Sequence, residues 1–163
     1  FEEWLEDNNY GDGISYNDSV FTSNLLNIGY MNISGRNISD LTGIEDALYV
    51  YDISASNNNL TTVDLSNNLD LQWLNLSQNN ISQIDLSNNV LLQYLGLGYN
   101  PIENIDVSNL FELSSLDLWG CDSLLTLDLS SNTGLEYLYV ADCDTLSELD
   151  LSNGYLVISC KFH

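Results

Sequence analysis

The chain has 163 residues, with 24 acidic side chains against two basic ones and a formal net charge of −22. That balance excludes nucleic acid and anionic membranes as partners, because both repel so acidic a surface, and it suits a soluble extracellular protein or one from a salty habitat. No apolar run approaches the roughly 20 residues of a membrane span, so membrane insertion is not expected.

Residues 1–27 do not fit the pattern that follows and are expected to form an N-terminal cap. The chain opens directly on FEEWL without a signal peptide, which suggests a processed or trimmed start. Phe1, Trp4 and Leu5 share one face at i, i+3, i+4 spacing, and Glu2 and Glu3 suit a first helical turn. A short amphipathic helix covering the first coil's core is predicted here. Residues Asp7–Asp18, DNNYGDGISYND, are dense in turn formers and oxygen ligands. A calcium loop of the EF-hand type requires D-x-[DN]-x-[DN]-G; Asp7 and Asn9 fit, but Gly11 stands where the next ligand belongs. A plain Gly/Asn loop is the favoured reading, and calcium is the one cofactor left open.

From Ile28 onward the chain repeats itself, in coils 28–49, 50–70, 71–91, 92–112, 113–134 and 135–156 and a partial coil 157–163. The pattern is clearest in 71–91, LQWLNLSQNNISQIDLSNNVL, which reads L-x-x-L-x-L-x-x-N-x-I-x-x-I-D-L-S-x-N-x-x. The coils at 113–134 and 135–156 carry one extra residue, around Ser123 and Thr145. A fixed period of this length means a solenoid, whose core is a column shared by stacked coils.

In the first coil Ile28, Met31, Ile33, Ile38, Leu41 and Ile44 are expected to point inward, and its second half, ISDLTGIEDA, predicts a short 3₁₀ turn. In later coils the segment L-x-x-L-x-L predicts a short strand, because alternation at positions 4 and 6 puts both leucines on one face. The asparagine at position 9 (Asn58, Asn79, Asn100) is expected to pair with backbone groups that would otherwise be buried alone. The I-x-x-I-D-L-S half also alternates and admits a second short strand or an extended segment on the opposite side. Cys121 and Cys143 occupy the position-9 site, where they should stack at about the 4.8 Å strand spacing. A buried thiol ladder is favoured over a disulfide between coils, and Cys160 falls at an inward position. Val157–His163 fits the start of a seventh strand without a capping repeat, so either the chain is part of a longer protein or something covers that edge.

These repeats resemble a bacterial class of 21-residue leucine-rich repeats whose second half reads LDLS or LDVS followed by N-x-x. The class is frequent in surface proteins of the Bacteroidetes, and a cysteine-bearing cousin occurs in the internalin family. FEEWL, NDSVFTSN (17–24) and ISDLTGIED (38–46) resemble the N-terminal pattern of flavobacterial secreted repeat proteins. The resemblance implies a leucine-rich repeat solenoid of parallel strands, mostly β, with a short helical cap. It also implies a secreted or cell-surface, non-enzymatic role in binding.

Two columns carry the candidate chemistry. Outward strand positions and their neighbours bring together Tyr30, Tyr51, Trp73, Tyr94, Tyr99, Trp119, Tyr137 and Tyr139. The core positions are already filled by Leu, Ile and Val, so these aromatics mark a ligand-binding face; cross-strand stacking that only stabilises the sheet is the plainer alternative. With Asp52, Asn75, Asp117, Glu136 and Asp142 interspersed, the face suits a polysaccharide or a basic protein patch. The second column is Asp64, Asp85, Asp106, Asp128 and Asp150, whose mutual repulsion must be offset. Hydrogen bonds from Ser66, Ser87, Ser108, Ser130 and Ser152 are favoured over bound cations. Catalysis is not expected: the only histidine is His163, so no Ser–His or Cys–His pair can form inside the fold. A structural role is the alternative, with chains self-associating end to end through the C-terminal strand edge.

Overall fold

A computed structural model describes residues 1–14 and 22–152. The strand expected over Val157–His163, its open edge, the inward Cys160, and positions 15–18 of the acidic loop lie outside the described residues.

Within them the chain is a leucine-rich repeat solenoid. Six short parallel strands stack in one sheet: β1 (Tyr30–Asn32), β2 (Asp52–Ser54), β3 (Trp73–Asn75), β4 (Tyr94–Gly96), β5 (Ser115–Asp117) and β7 (Tyr137–Tyr139). Each is the centre of an L-x-x-L-x-L segment. The middle side chain (Met31, Ile53, Leu74, Leu95, Leu116, Leu138) is buried, and pleat alternation turns its neighbours outward. The register advances one coil per step, through Asp52↔Trp73, Trp73↔Tyr94, Tyr94↔Ser115 and Ser115↔Tyr137, so equal repeat positions become columns. The core is one continuous run of buried Leu, Ile and Val shared by all coils. Truncating one of these leucines to alanine costs about 2–5 kcal/mol.

The cap is helical as expected. In α1 (Glu2–Asp7), Trp4 and Leu5 are buried, and Phe1 packs against the same cluster. A second turn, α2 (Thr22–Leu25), buries Leu25. The described start of the acidic loop folds back on α1. The Glu6 carboxylate accepts the backbone N–H groups of Asp12 and Gly13, and Asp12 accepts that of Ile14. Among the described residues no group of three potential metal ligands converges. The expected 3₁₀ turn spans Ile44–Asp46.

The position-9 asparagines act as the repeat predicts. Asn79 donates to the carbonyls of Ala55 (3.0 Å) and Leu76 (2.8 Å) and accepts the Leu60 N–H (3.0 Å). Asn58 and Asn100 do the same one coil away on either side. Cys121 and Cys143 are free thiols in this ladder, donating to Leu97 O (3.4 Å) and Leu118 O (3.1 Å). Burial pushes the Cys121 thiol up to about 12 and raises Cys143 as well.

A thiol replaces the donor of an asparagine but is a poor acceptor. In these two coils the N–H groups of Leu124 and Leu146 bond within their own coil, to Cys121 O (3.0 Å) and Cys143 O (3.1 Å). On the opposite side the coils differ from one another. Among the described residues a second strand forms only in the two cysteine coils, β6 (Thr126–Asp128) and β8 (Glu148–Asp150) pairing in parallel. In the 21-residue coils the same half is extended but forms no paired strand.

The opposite side has an asparagine ladder that the sequence reading missed. Asn68, Asn89 and Asn132 are fully buried, and each amide donates to two carbonyls of the preceding coil. The signal was available as the asparagine recurring after each LDLS. In coil 92–112 Leu110 takes the site, and the adjacent Asn109 donates to Leu86 O and Ser87 O instead.

Candidate ligand-binding face

The strand register turns the alternate outward residues into a shallow groove of about 680 Å³ on the face of the main sheet. Six of the eight predicted aromatics line it: Tyr51, Trp73, Tyr94, Trp119, Tyr137 and Tyr139. Tyr30, on the first strand, is exposed outside it. Tyr99 sits on the turn after the strand in left-handed backbone (φ 56°) and lies over Gly120, where a Cβ would come within 2.7 Å of its ring.

The groove's centre is the pair Trp73 and Tyr94, stacked with ring centroids 3.9 Å apart and planes 10° from parallel. Both come from position 3 of adjacent coils, so their rings stand across the strands and face along the direction in which coils stack. The Tyr94 phenol reaches lengthwise over Gly96, where a Cβ would lie 2.8 Å from its oxygen. Gly96 is therefore what lets this ring stand where it does. Trp73 remains 45% exposed. Mutual stacking contributes about 0.5–1.5 kcal/mol beyond area burial, leaving the outer edges and faces open to a ligand.

Two carboxylates belong to the groove. Asp117 Oδ1 accepts the Trp119 backbone N–H at 3.0 Å, and burial raises its carboxyl above the ordinary range in spite of that bond. Asp52 lies between Tyr30 and Trp73 in register, with a buried Oδ1 that has no hydrogen-bond partner among the described residues. Burial raises it too. Burial together with the charges of Asp117 and Tyr139 raises the Tyr94 phenol. At the groove's rim the Trp119 indole N–H donates to Asp142 at 2.8 Å.

The aspartate column on the opposite side resolves differently. Asp64, Asp85, Asp106, Asp128 and Asp150 each accept the backbone N–H two residues on, from Ser66, Ser87, Ser108, Ser130 and Ser152, at 2.8–2.9 Å. These are Asx turns. The serine hydrogen bonds hold Asp64, Asp85, Asp106 and Asp128 below the usual carboxylate range. The column is thus satisfied coil by coil, as the hydrogen-bonding reading expected.

No helix among the described residues is long and apolar enough to cross a membrane. No known family's sequence pattern matches the chain, and no curated protein matches it. Solved structures do. The functional domain of InlJ from Listeria monocytogenes, described as including a cysteine ladder, is 29% identical over 83% of this chain and 30% of that one, with a TM-score of 0.77. The internalin InlF of the same species is 26% identical over 96% of this chain and 49% of that one, with a TM-score of 0.72. The leucine-rich repeat domain of APL1B, 19% identical over 81% of this chain and 44% of that one with a TM-score of 0.61, speaks to the fold alone. The chain spans less than half the length of these three. It is an internalin-like leucine-rich repeat protein in fold, and its solved neighbours are consistent with an interaction module.

Proposed function

We propose that the chain is an extracellular or cell-surface binding module of bacterial type that grips a protein or glycan ligand through the aromatic strand face and performs no catalysis. The observation that carries this reading is the groove itself: six aromatics on a rigid ladder of strands, none of them needed to fill the core. Aromatic side chains on fixed backbone bury large area at low entropic cost, which is what a recognition surface requires. The internalin-like neighbours support the same reading.

The test is a titration of neutral oligosaccharides and basic peptides followed by tryptophan fluorescence, on the native chain and on the triple variant Trp73→Ala, Tyr94→Ala, Trp119→Ala. At least one probe class should bind the native chain and lose that binding in the variant, while thermal unfolding shifts only slightly. Undiminished binding by the variant, or a collapse of its stability, would make the column structural.

A further inference from the structure

We propose that the groove's C-terminal half is a seat for a single arginine side chain of a basic protein partner, held between Tyr94 and Tyr137 and paired with Asp117. The inference rests on the binding-face reading and narrows its ligand.

The register supplies the shape. Position 3 runs Tyr94, Ser115, Tyr137 on three consecutive coils, so a small residue lies between two aromatic ones. Tyr94 is backed by Trp73 on one face, and its other face is turned toward Ser115. Two strand spacings separate the flanking tyrosines at the backbone, about 10 Å. A flat group midway is then about 5 Å from each, inside the ~6 Å reach of a cation–π contact. The bay is therefore wide enough to admit a planar cation between the two tyrosines.

Charge supplies the identity. Asp117 pairs in register with Gly96 and Tyr139, and so forms the floor beside Ser115. One of its oxygens accepts the Trp119 N–H, and its second makes no hydrogen bond with the described residues. Among those residues no cation approaches this carboxylate: Arg36 is the one basic side chain described, and it pairs with Asp7 at 3.8 Å. A half-buried carboxylate in a groove also lined by Tyr94 and Tyr137, on a chain of net charge −22, calls for an incoming cation. Guanidinium is flat, stacks on rings and presents paired N–H donors to a carboxylate, whereas ammonium is compact and strongly hydrated. Arginine fits both the width and the floor.

The experiment is calorimetric titration of the intact chain with hexaarginine, hexalysine and chitohexaose at 0.15 M NaCl, on the native protein and on Asp117→Asn, Tyr94→Ala and Asp85→Asn. Asn at 117 keeps the acceptor for the Trp119 N–H, so its fold is preserved, and Asp85→Asn removes the same charge from the opposite side. The expected result is tighter binding of hexaarginine than hexalysine, a loss of about tenfold or more with Asp117→Asn and with Tyr94→Ala, and a change under about twofold with Asp85→Asn. Equal losses for Asp117→Asn and Asp85→Asn would mean general charge attraction and overturn the seat. Chitohexaose binding that depends on Tyr94 and ignores Asp117, with no such dependence for hexaarginine, would leave the binding face standing and sink the arginine proposal. Indifference of every probe to Tyr94→Ala would remove both.

Discussion

The two sides of the solenoid carry columns of exposed residues on the same period, yet their chemistry is opposite. On the LDLS side each aspartate accepts the N–H of its own coil's serine, so every acidic group is engaged locally and the column repeats without variation. On the strand side the outward positions change from coil to coil: Asp52, Trp73, Tyr94, Ser115, Tyr137. Its carboxylates are raised by burial where those of the other side are lowered by hydrogen bonds. A repeating, self-satisfied column is scaffold. A varied column with unmet polar groups is where recognition is expected.

The asparagine ladders beneath the two sides differ in the same sense. Asn79→Ala should have the largest effect, a loss of about 2–4 kcal/mol in urea unfolding, because the buried Leu60 N–H is left without an acceptor. Asn89→Ala should cost less, about 1–2 kcal/mol by the same measurement. Its amide only supplements backbone donors already bonded to Leu65 O and Asn68 O, and its own Oδ1 has no partner among the described residues. Equal losses at the two sites would end the distinction between the ladders.

On the strand side, Trp73→Ala should lower stability by only about 0.5–1.5 kcal/mol, the worth of one half-exposed stack. Asp52→Asn should act in the other direction. Its folded carboxyl value is raised, so the ionised group weakens the fold at neutral pH, and that penalty is relieved as pH falls through the raised value. The variant should melt roughly 1–3 °C higher at pH 7 and show no gain below pH 3. The aspartate column has the reverse sign. Asp64, Asp85, Asp106 and Asp128 have lowered folded values, so their contribution is present above the ordinary 3.8 and is lost as pH falls through the lowered value. The fourfold Asn variant, which keeps the turns but not the charge, should melt slightly below the native chain at pH 7, the smallest effect of the set. Its melting temperature should fall less than that of the native chain between pH 4 and 2.

The repeat determined the architecture before any coordinates. A 21-residue period with leucines at fixed positions leaves one way to bury them, as a stacked column, and the position-9 asparagine follows from the need to satisfy turn backbone. Cap, strand positions, thiol ladder and Asx column were all legible because each depends on residues near one another in sequence or one period apart. What the sequence could not show depends on three-dimensional reach. Eight aromatics look equivalent along the chain, but only the register and ring orientation set Trp73 against Tyr94, place Tyr30 and Tyr99 outside the groove, and leave Ser115 as a gap. Among the described residues the second strand pair forms only between the two cysteine coils, and that pairing depends on the register of one coil against the next. The burial that raises Asp52 and Asp117 comes from neighbouring coils. Desolvation depends on everything packed around a group, and no local stretch of sequence contains that.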